Sequence, residues 1–309
     1  MMSADDLEEK TEEADMMCCC ASCGIAELHD VKLKKCPTCD LVRYCSGKCQ
    51  REHWPKHEAV CMKREAELRD EILFRQPEST HDGDCPICFL PLPLDPTKTS
   101  IYSCCIKVIC IGCDDANKIR ELQGKLQHKC PFCRKPTPKT DEEANKHMMK
   151  RVEMNDPCAM CHEGGEQYDK GNYSSAFEYW TKAAELGDIK SHYQLSTLYD
   201  NGQGVGKDEK KEVFHLEEAA IGGHPDARYN LGINEVRSRR IERAVKHWII
   251  AANLGHDESI HKLKRCYKDG FVSKEDLATA LRAHQAAVDA TKSPQREAAA
   301  KSGLWSGLW

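Results

Sequence analysis

Cysteine and histidine are the residues of this chain best placed to do chemistry, and their spacing says which chemistry. Cys20-x2-Cys23, Cys36-x2-Cys39, Cys45-x3-Cys49 and His57-x3-Cys61 supply eight ligand-type residues between positions 20 and 61. A second ladder follows with CPIC at Cys85 and Cys88, SCCIKVICIGC holding Cys104, Cys105, Cys110 and Cys113, and CPFC at Cys130 and Cys133. Thiolates and imidazoles at two- to four-residue spacing suit tetrahedral zinc. Four protein ligands close the metal's shell and leave no position for an activated water, so the role they imply is structural. A module of about 45 residues buries too little apolar surface to fold alone, and zinc binding at about 10 kcal/mol or more supplies the missing stability. Cys19 competes with Cys20 for the first ligand position, and Cys20 is preferred because it restores the CxxC pair.

The elements that must hold these ligands are read from composition and periodicity. Of the 20 cysteines, 17 fall between Cys18 and Cys133, and the acidic start of the chain lacks the apolar core of a secretory leader. That usage implies reduced thiols on metal rather than disulfides, in the cytoplasm or nucleus. With 31% charged residues and no apolar run of membrane length, no membrane partner is expected. Residues 1–17 carry seven acids against one lysine and read as a disordered tail. The first cysteine module takes residues 18–64, a helical linker 65–83 broken by PESTHDGD, and the second module 84–136. From residue 155 to 270 the pattern turns helical and repetitive. Ala183, Ala184 and Gly187 recur as Ala219, Ala220 and Gly223, then as Ala251, Ala252 and Gly255, while Trp180 and Trp248 share one position. Each unit reads as a helix pair closed by a glycine in the left-handed conformation. A capping helix is expected over 271–292 and a flexible tail over 293–309.

The order CPTCDLVRYCSGKCQREHWPKHEAVC resembles the MYND zinc finger. The resemblance implies interleaved sites, with Cys20, Cys23, Cys45 and Cys49 on one zinc and Cys36, Cys39, His57 and Cys61 on the other. The second ladder resembles a RING finger, which implies Cys85, Cys88, Cys110 and Cys113 on one zinc and Cys105, Cys130 and Cys133 on another. Its eighth ligand should be a histidine at position 107, which is Lys107 here, and a protonated ammonium has no lone pair to give. Cys104 is the expected substitute, for four zinc ions in all; a three-ligand or empty fourth site is the alternative. The same resemblance implies a docking groove for a ubiquitin-conjugating enzyme at Ile87, Pro131 and Phe132, with Arg134 as a bridging cation. AAELGD, YQLSTLYDNGQGVGKDEKK and ARYNLG resemble Sel1-like repeats, relatives of the tetratricopeptide repeat that stack into a solenoid.

Other signals are weaker than their plain readings. CAMCH at residues 158–162 has the form of a haem-attachment motif, but Cys161 aligns with the core positions Tyr193 and Tyr229. Cys266 reads as a small buried hydrophobe, and His215, His224 and His256 as capping or solvent-facing residues. The basic residues of the first module (Lys32, Lys34, Lys35, Arg43, Lys48, Arg51) lack interleaved aromatics, which argues against nucleic acid. The absence of a cofactor-binding glycine motif argues against methyl transfer. The expected fold is small zinc-stabilised modules followed by an all-α solenoid. The expected function is a RING-type ubiquitin ligase or ligase-associated adaptor holding proteins or peptides, proline-containing ones in the MYND-like groove. A non-enzymatic scaffold or transcriptional co-regulator is the alternative.

Overall fold

The computed structural model describes residues 19–28 and 30–302, and the acidic tail expected over 1–17 lies outside them. The chain divides into two compact units, Met1–Arg75 and Gln76–Trp309.

In the first unit, β1 (Lys34–Lys35) pairs antiparallel with β2 (Arg43–Tyr44), with Lys34 opposite Tyr44. Helix α1 (Gly47–Leu73) follows, and the Ser46 side chain accepts the N–H of Cys49 at its N-terminus. His57 and Cys61 stand four residues apart on this helix and so share a face. Packing reinforces the register: the buried cluster consists of Leu33, Tyr44, Cys20, Cys36, Cys39 and Cys61, so sulfur takes the place that aliphatic carbon fills elsewhere. The helix expected to run until Pro77, where PESTHDGD breaks the pattern, ends at Leu73.

The second unit opens with β3 (Thr99–Tyr102) and β4 (Lys107–Cys110), an antiparallel hairpin in which Thr99 faces Cys110 and Tyr102 faces Lys107. Helix α2 (Ile111–Gln123) continues directly from β4. Helix α3 (Asp141–Glu153) starts where Thr140 accepts the Glu143 N–H, and its first turn is acidic, which suits the helix dipole. The repeats are α4 (Pro157–Asp169) with α5 (Tyr173–Glu185), α6 (Ile189–Asn201) with α7 (Glu209–Ile221), and α8 (Pro225–Arg237) with α9 (Ile241–Asn253). Helix α10 (Asp257–Lys268) and helix α11 (Lys274–Ala290) close the stack, α11 lying against both α9 and α10.

Two devices repeat along this stack. Asp156, Asp188, His224 and His256 occupy equivalent N-cap positions of α4, α6, α8 and α10, and each side chain accepts a backbone N–H of the first turn. Gly187, Gly223 and Gly255 precede or adjoin these caps at φ of +90°, +85° and +91°, the left-handed conformation that their spacing predicts. Within the first and third pairs, the Trp180 indole N–H donates to the Cys161 carbonyl (3.0 Å) and that of Trp248 to the Tyr229 carbonyl (3.2 Å). Such close approach requires Gly164 and Gly232, because a Cβ there would lie 2.4 and 2.3 Å from the indole nitrogens.

Two segments differ from expectation. Residues 76–83 are laid along the repeats: the His81 N–H donates to the Gly223 carbonyl (3.1 Å), and the Asn253 amide donates to Gln76 Oε1 (3.0 Å). The flexible tail expected from residue 293 is instead helical over α12 (Pro294–Ser302), which packs on α2. Its signals are a Ser293 hydroxyl that accepts the Arg296 N–H, proline at the first helical position and an alanine run. Residues 303–309 lie outside the described part.

Candidate metal centres

Four of the cysteine pairs form the same local turn. In each, the residue after the second cysteine has a left-handed backbone: Gly24 (φ +74°), Asp40 (+59°), Phe89 (+54°) and Arg134 (+59°). Its N–H donates to the carbonyl of the first cysteine, at 2.8, 3.1, 2.8 and 3.1 Å for Cys20, Cys36, Cys85 and Cys130. The turn therefore bends the chain around one point and aims both sulfurs at it. A fifth copy spans Tyr102 to Ile106, with Ile106 at φ +56° and its N–H donating to the Tyr102 carbonyl (2.7 Å). Here the two inward positions are the neighbours Cys104 and Cys105. Lys107 begins β4 with an exposed side chain, turned away from the sulfurs of the turn before it.

These turns assemble four clusters: Cys20, Cys23, Cys45 and Cys49; Cys36, Cys39, His57 and Cys61; Cys85, Cys88, Cys110 and Cys113; and Cys104, Cys105, Cys130 and Cys133. Within each, the ligand-type atoms all lie within 4.8 Å of one another. Sulfurs of Cys36 and Cys61 are 3.7 Å apart, those of Cys88 and Cys110 3.8 Å, those of Cys105 and Cys130 3.6 Å and those of Cys104 and Cys133 3.3 Å. A tetrahedral zinc with bonds of about 2.3 Å separates its sulfurs by about 3.8 Å, whereas a disulfide needs about 2.05 Å. The clusters fit zinc.

Electrostatics point the same way. Burial raises the Cys36 thiol, but backbone N–H groups of Cys39 and Thr38 aimed at its sulfur outweigh burial and bring it down to about 6. Cys20 and Cys85 behave alike, at about 6 and about 7. Their neighbours move the other way. Burial and the Cys36 sulfur push Cys61 up to about 12, and burial, opposed by knuckle N–H groups, leaves Cys130 at about 11. Thiols of one cluster are thus pushed in opposite directions, Cys36 down and Cys61 up, a conflict that a divalent cation removes.

The supporting shell includes groups that spacing does not reveal. The Tyr102 hydroxyl donates to buried Asp114 (2.5 Å), pinning β3 to α2, and burial together with that carboxylate holds its phenol above the usual range. Buried Glu121 accepts the Lys129 N–H (3.1 Å) and lies 2.8 Å from His128 Nδ1, fixing the approach to the CPFC turn. A buried acid inside a cysteine-rich segment is the one sequence signal for either. In the first unit, the Tyr44 hydroxyl contacts His53 Nδ1 (3.0 Å), and the His53 ring stacks on that of His57 at 5.7 Å. Cys161 and Cys266 are buried in the helical core, and burial pushes Cys161 up to about 12, the behaviour of an inert thiol.

Beside the third and fourth clusters lies a groove of about 520 Å³ whose lining includes Ile87, Pro131, Leu126, Arg120, Lys129 and Arg134. Ile87 and Leu126 are 39% and 57% exposed, so apolar surface faces solvent between cations. Phe132 does not line this groove: the turn directs it against the cysteine core of its own module.

The fold and centres define a modular protein in which zinc-type fingers precede a helical-repeat array. Residues 20–61 match the family model of the MYND finger, and residues 158–188, 189–224 and 225–256 match that of the Sel1 repeat. A mouse protein, DAP3-binding cell death enhancer 1, is 25% identical over 174 residues, which cover 43% of this chain and 34% of the relative. The SET domain and MYND-type zinc finger protein 6 of Schizosaccharomyces pombe is 33% identical over 52 residues, 17% of this chain and 11% of its own. Among solved structures, a Sel1 repeat protein from Oxalobacter formigenes aligns with a TM-score of 0.42 at 23% identity, covering 56% of this chain and 73% of that one. The chain spans about a third of the length of the first of these curated relatives and less of the second. It carries a MYND finger and Sel1 repeats, modules that commonly mediate protein–protein contacts, and among the described residues no helix is long and apolar enough to cross a membrane.

Proposed function

We propose that this chain is an adaptor of the cytoplasm or nucleus that holds four structural zinc ions, one per cluster, and recruits a ubiquitin-conjugating enzyme through residues 84–136 while the MYND finger and the repeats hold protein partners. The observation that carries the ligase part is the groove. Ile87 from one knuckle, and Pro131 and Arg134 from another far along the chain, line a single groove together with Leu126, Arg120 and Lys129. Exposed apolar side chains among cations suit protein docking, where they can become the buried anchors of an interface. Catalysis here would need no nucleophile of the chain's own, since binding and orienting the loaded conjugating enzyme suffices.

Ubiquitin-chain formation by the zinc-loaded full chain against a panel of conjugating enzymes tests this. Chains are expected, with loss in Ile87→Ala and Arg134→Ala. Silence across the panel in protein with its full zinc content would leave a scaffold. The fourth ion is tested separately: Cys104→Ser should lower zinc content by one equivalent, and an unchanged content would remove Cys104 from the ligand set.

A further inference from the structure

Arg296 brings a positive charge to a place where ordinary pairing is missing. It stands in the first turn of α12, and only 8% of it is exposed. Its guanidinium donates to the carbonyls of Pro91 (2.7 Å), Leu90 (3.1 Å) and Thr291 (2.7 Å), and to the sulfur of Cys88 (3.4 Å). Carbonyls carry no charge, and the side-chain partners of Arg296 among the described residues are these carbonyls and the sulfur, none of them a carboxylate. Burying a guanidinium without counter-charge is strongly unfavourable, because it loses its hydration with nothing of opposite sign to replace it. The cluster of Cys85, Cys88, Cys110 and Cys113 can supply that charge, because four thiolates on one zinc ion are doubly negative as a group.

Helix α2 is shaped to receive this residue. Gly112 lies next to Cys113, and a Cβ at that position would fall 2.9 Å from the backbone N and Cα of Arg296. Any larger residue would push α12 away and withdraw the guanidinium. Ala299, one turn further along α12, is also buried, so the helix is seated over its length rather than touching at one point.

We propose that Arg296 is a positioning residue for this zinc site. It gives a charge-assisted N–H···S bond to Cys88, offsets the cluster's negative charge, and ties down the Phe89–Pro91 loop that follows the CPIC turn. A helix about 200 residues downstream thereby becomes part of the second zinc module. This rests on the zinc reading of that cluster and not on ligase activity.

The test uses the full chain and three measurements: zinc content, the rate of zinc transfer to a chromogenic chelator, and the thiolate-to-metal charge-transfer band after cobalt substitution. In Arg296→Ala, one equivalent should leave about tenfold or more faster than in the parent. The cobalt band should move to longer wavelength as the sulfur loses its hydrogen bond, while helical circular dichroism holds. Gly112→Leu should reproduce both changes with Arg296 intact, and Arg296→Lys should fall between. Faster release without a band shift would reduce Arg296 to a packing role, and unchanged release would overturn the proposal outright. If Cys85→Ser leaves zinc content unaltered, the zinc reading of the cluster falls instead, and this proposal with it.

Discussion

The MYND finger and the Sel1 repeats solve the same stability problem with opposite materials. The finger's buried cluster has two non-cysteine members, Leu33 and Tyr44, around four cysteines. The third repeat and its cap bury Ala244, Val245, Trp248, Ala252, Ile260, Leu263, Val272 and Ala280 in one cluster with a single cysteine, Cys266. Metal bonding concentrates stability in a few atoms, whereas helix packing spreads it over many. Loss of one ligand should therefore be catastrophic and local in the finger, and loss of one core side chain graded in the repeats.

The largest effect that would break this comparison is a ligand substitution. Cys39→Ser removes one of four donors from a centre expected to supply about 10 kcal/mol or more, so the first unit should lose its fold and one or both of its zinc ions. Limited proteolysis should then cut within residues 19–73 while the repeats stay protected. Protection of both units in the variant would show that the finger has an adequate core of its own.

In the repeats the corresponding test is Trp248→Ala, which should cost about 3–5 kcal/mol as a large buried ring is removed, with no change in zinc content. Gly232→Ala is milder in chemistry but aims a methyl at the indole 2.3 Å away, and about 1–3 kcal/mol of overpacking is expected. Chemical denaturation followed by helical circular dichroism reads both. A Gly232→Ala variant as stable as the parent would mean that the Trp248 seat is loose.

How much of this was legible in the sequence follows the same division. Ligand spacing is local, so the residues that converge in each cluster, Cys104 among them, could be reasoned from a few adjacent positions. The repeat period was equally visible, because alanine, tryptophan and glycine recur where packing demands them. Contacts between distant segments left no periodic trace. Arg296 looks like one more surface charge in a polar tail, and His81 like part of a linker, until the fold brings the first to Cys88 and the second to His224. The packing of Phe132 against the cysteine cluster is equally hidden: the motif gives its position in the turn but not which way the turn faces the module's core.

A smaller effect concerns the pH dependence of the repeats. His224 caps α8 through Nδ1, which accepts the Ala227 N–H (3.4 Å) and so must be unprotonated. Burial, with the neighbouring His81 imidazole, pushes its pKa from 6.5 down to about 3. The groups facing it are Asp226 and His256, the Tyr193 ring stacked at 4.3 Å, the His81 ring at 4.1 Å, and Lys190 of α6. Because the folded pKa is depressed, the stability contribution is complete above about 6.5 and is lost as pH falls from there toward the folded value. Each proton taken up by the unfolded chain alone costs about 1.4 kcal/mol per pH unit in that window. His224→Asn keeps a good cap without the titration, so its melting temperature should fall less between pH 7 and 5 than the parent's; equal slopes would place the acid sensitivity elsewhere.

The smallest expected change lies where the linker meets the repeats. His81 lies between the irregular segment 76–83 and the array, its ring on His224 and its N–H on the Gly223 carbonyl. His81→Ala removes the ring and keeps the backbone bond, so about 1 kcal/mol of stacking should be lost, hardly visible in global unfolding. Hydrogen exchange should detect it, since the 81 N–H would lose protection while amides within α8 keep theirs. A linker that stays protected would show that Gln76 and Asn253 hold it without the ring. The segment would then owe its course to backbone and amide hydrogen bonds, and the link between zinc-held and packing-held parts of the chain would not depend on a titratable residue.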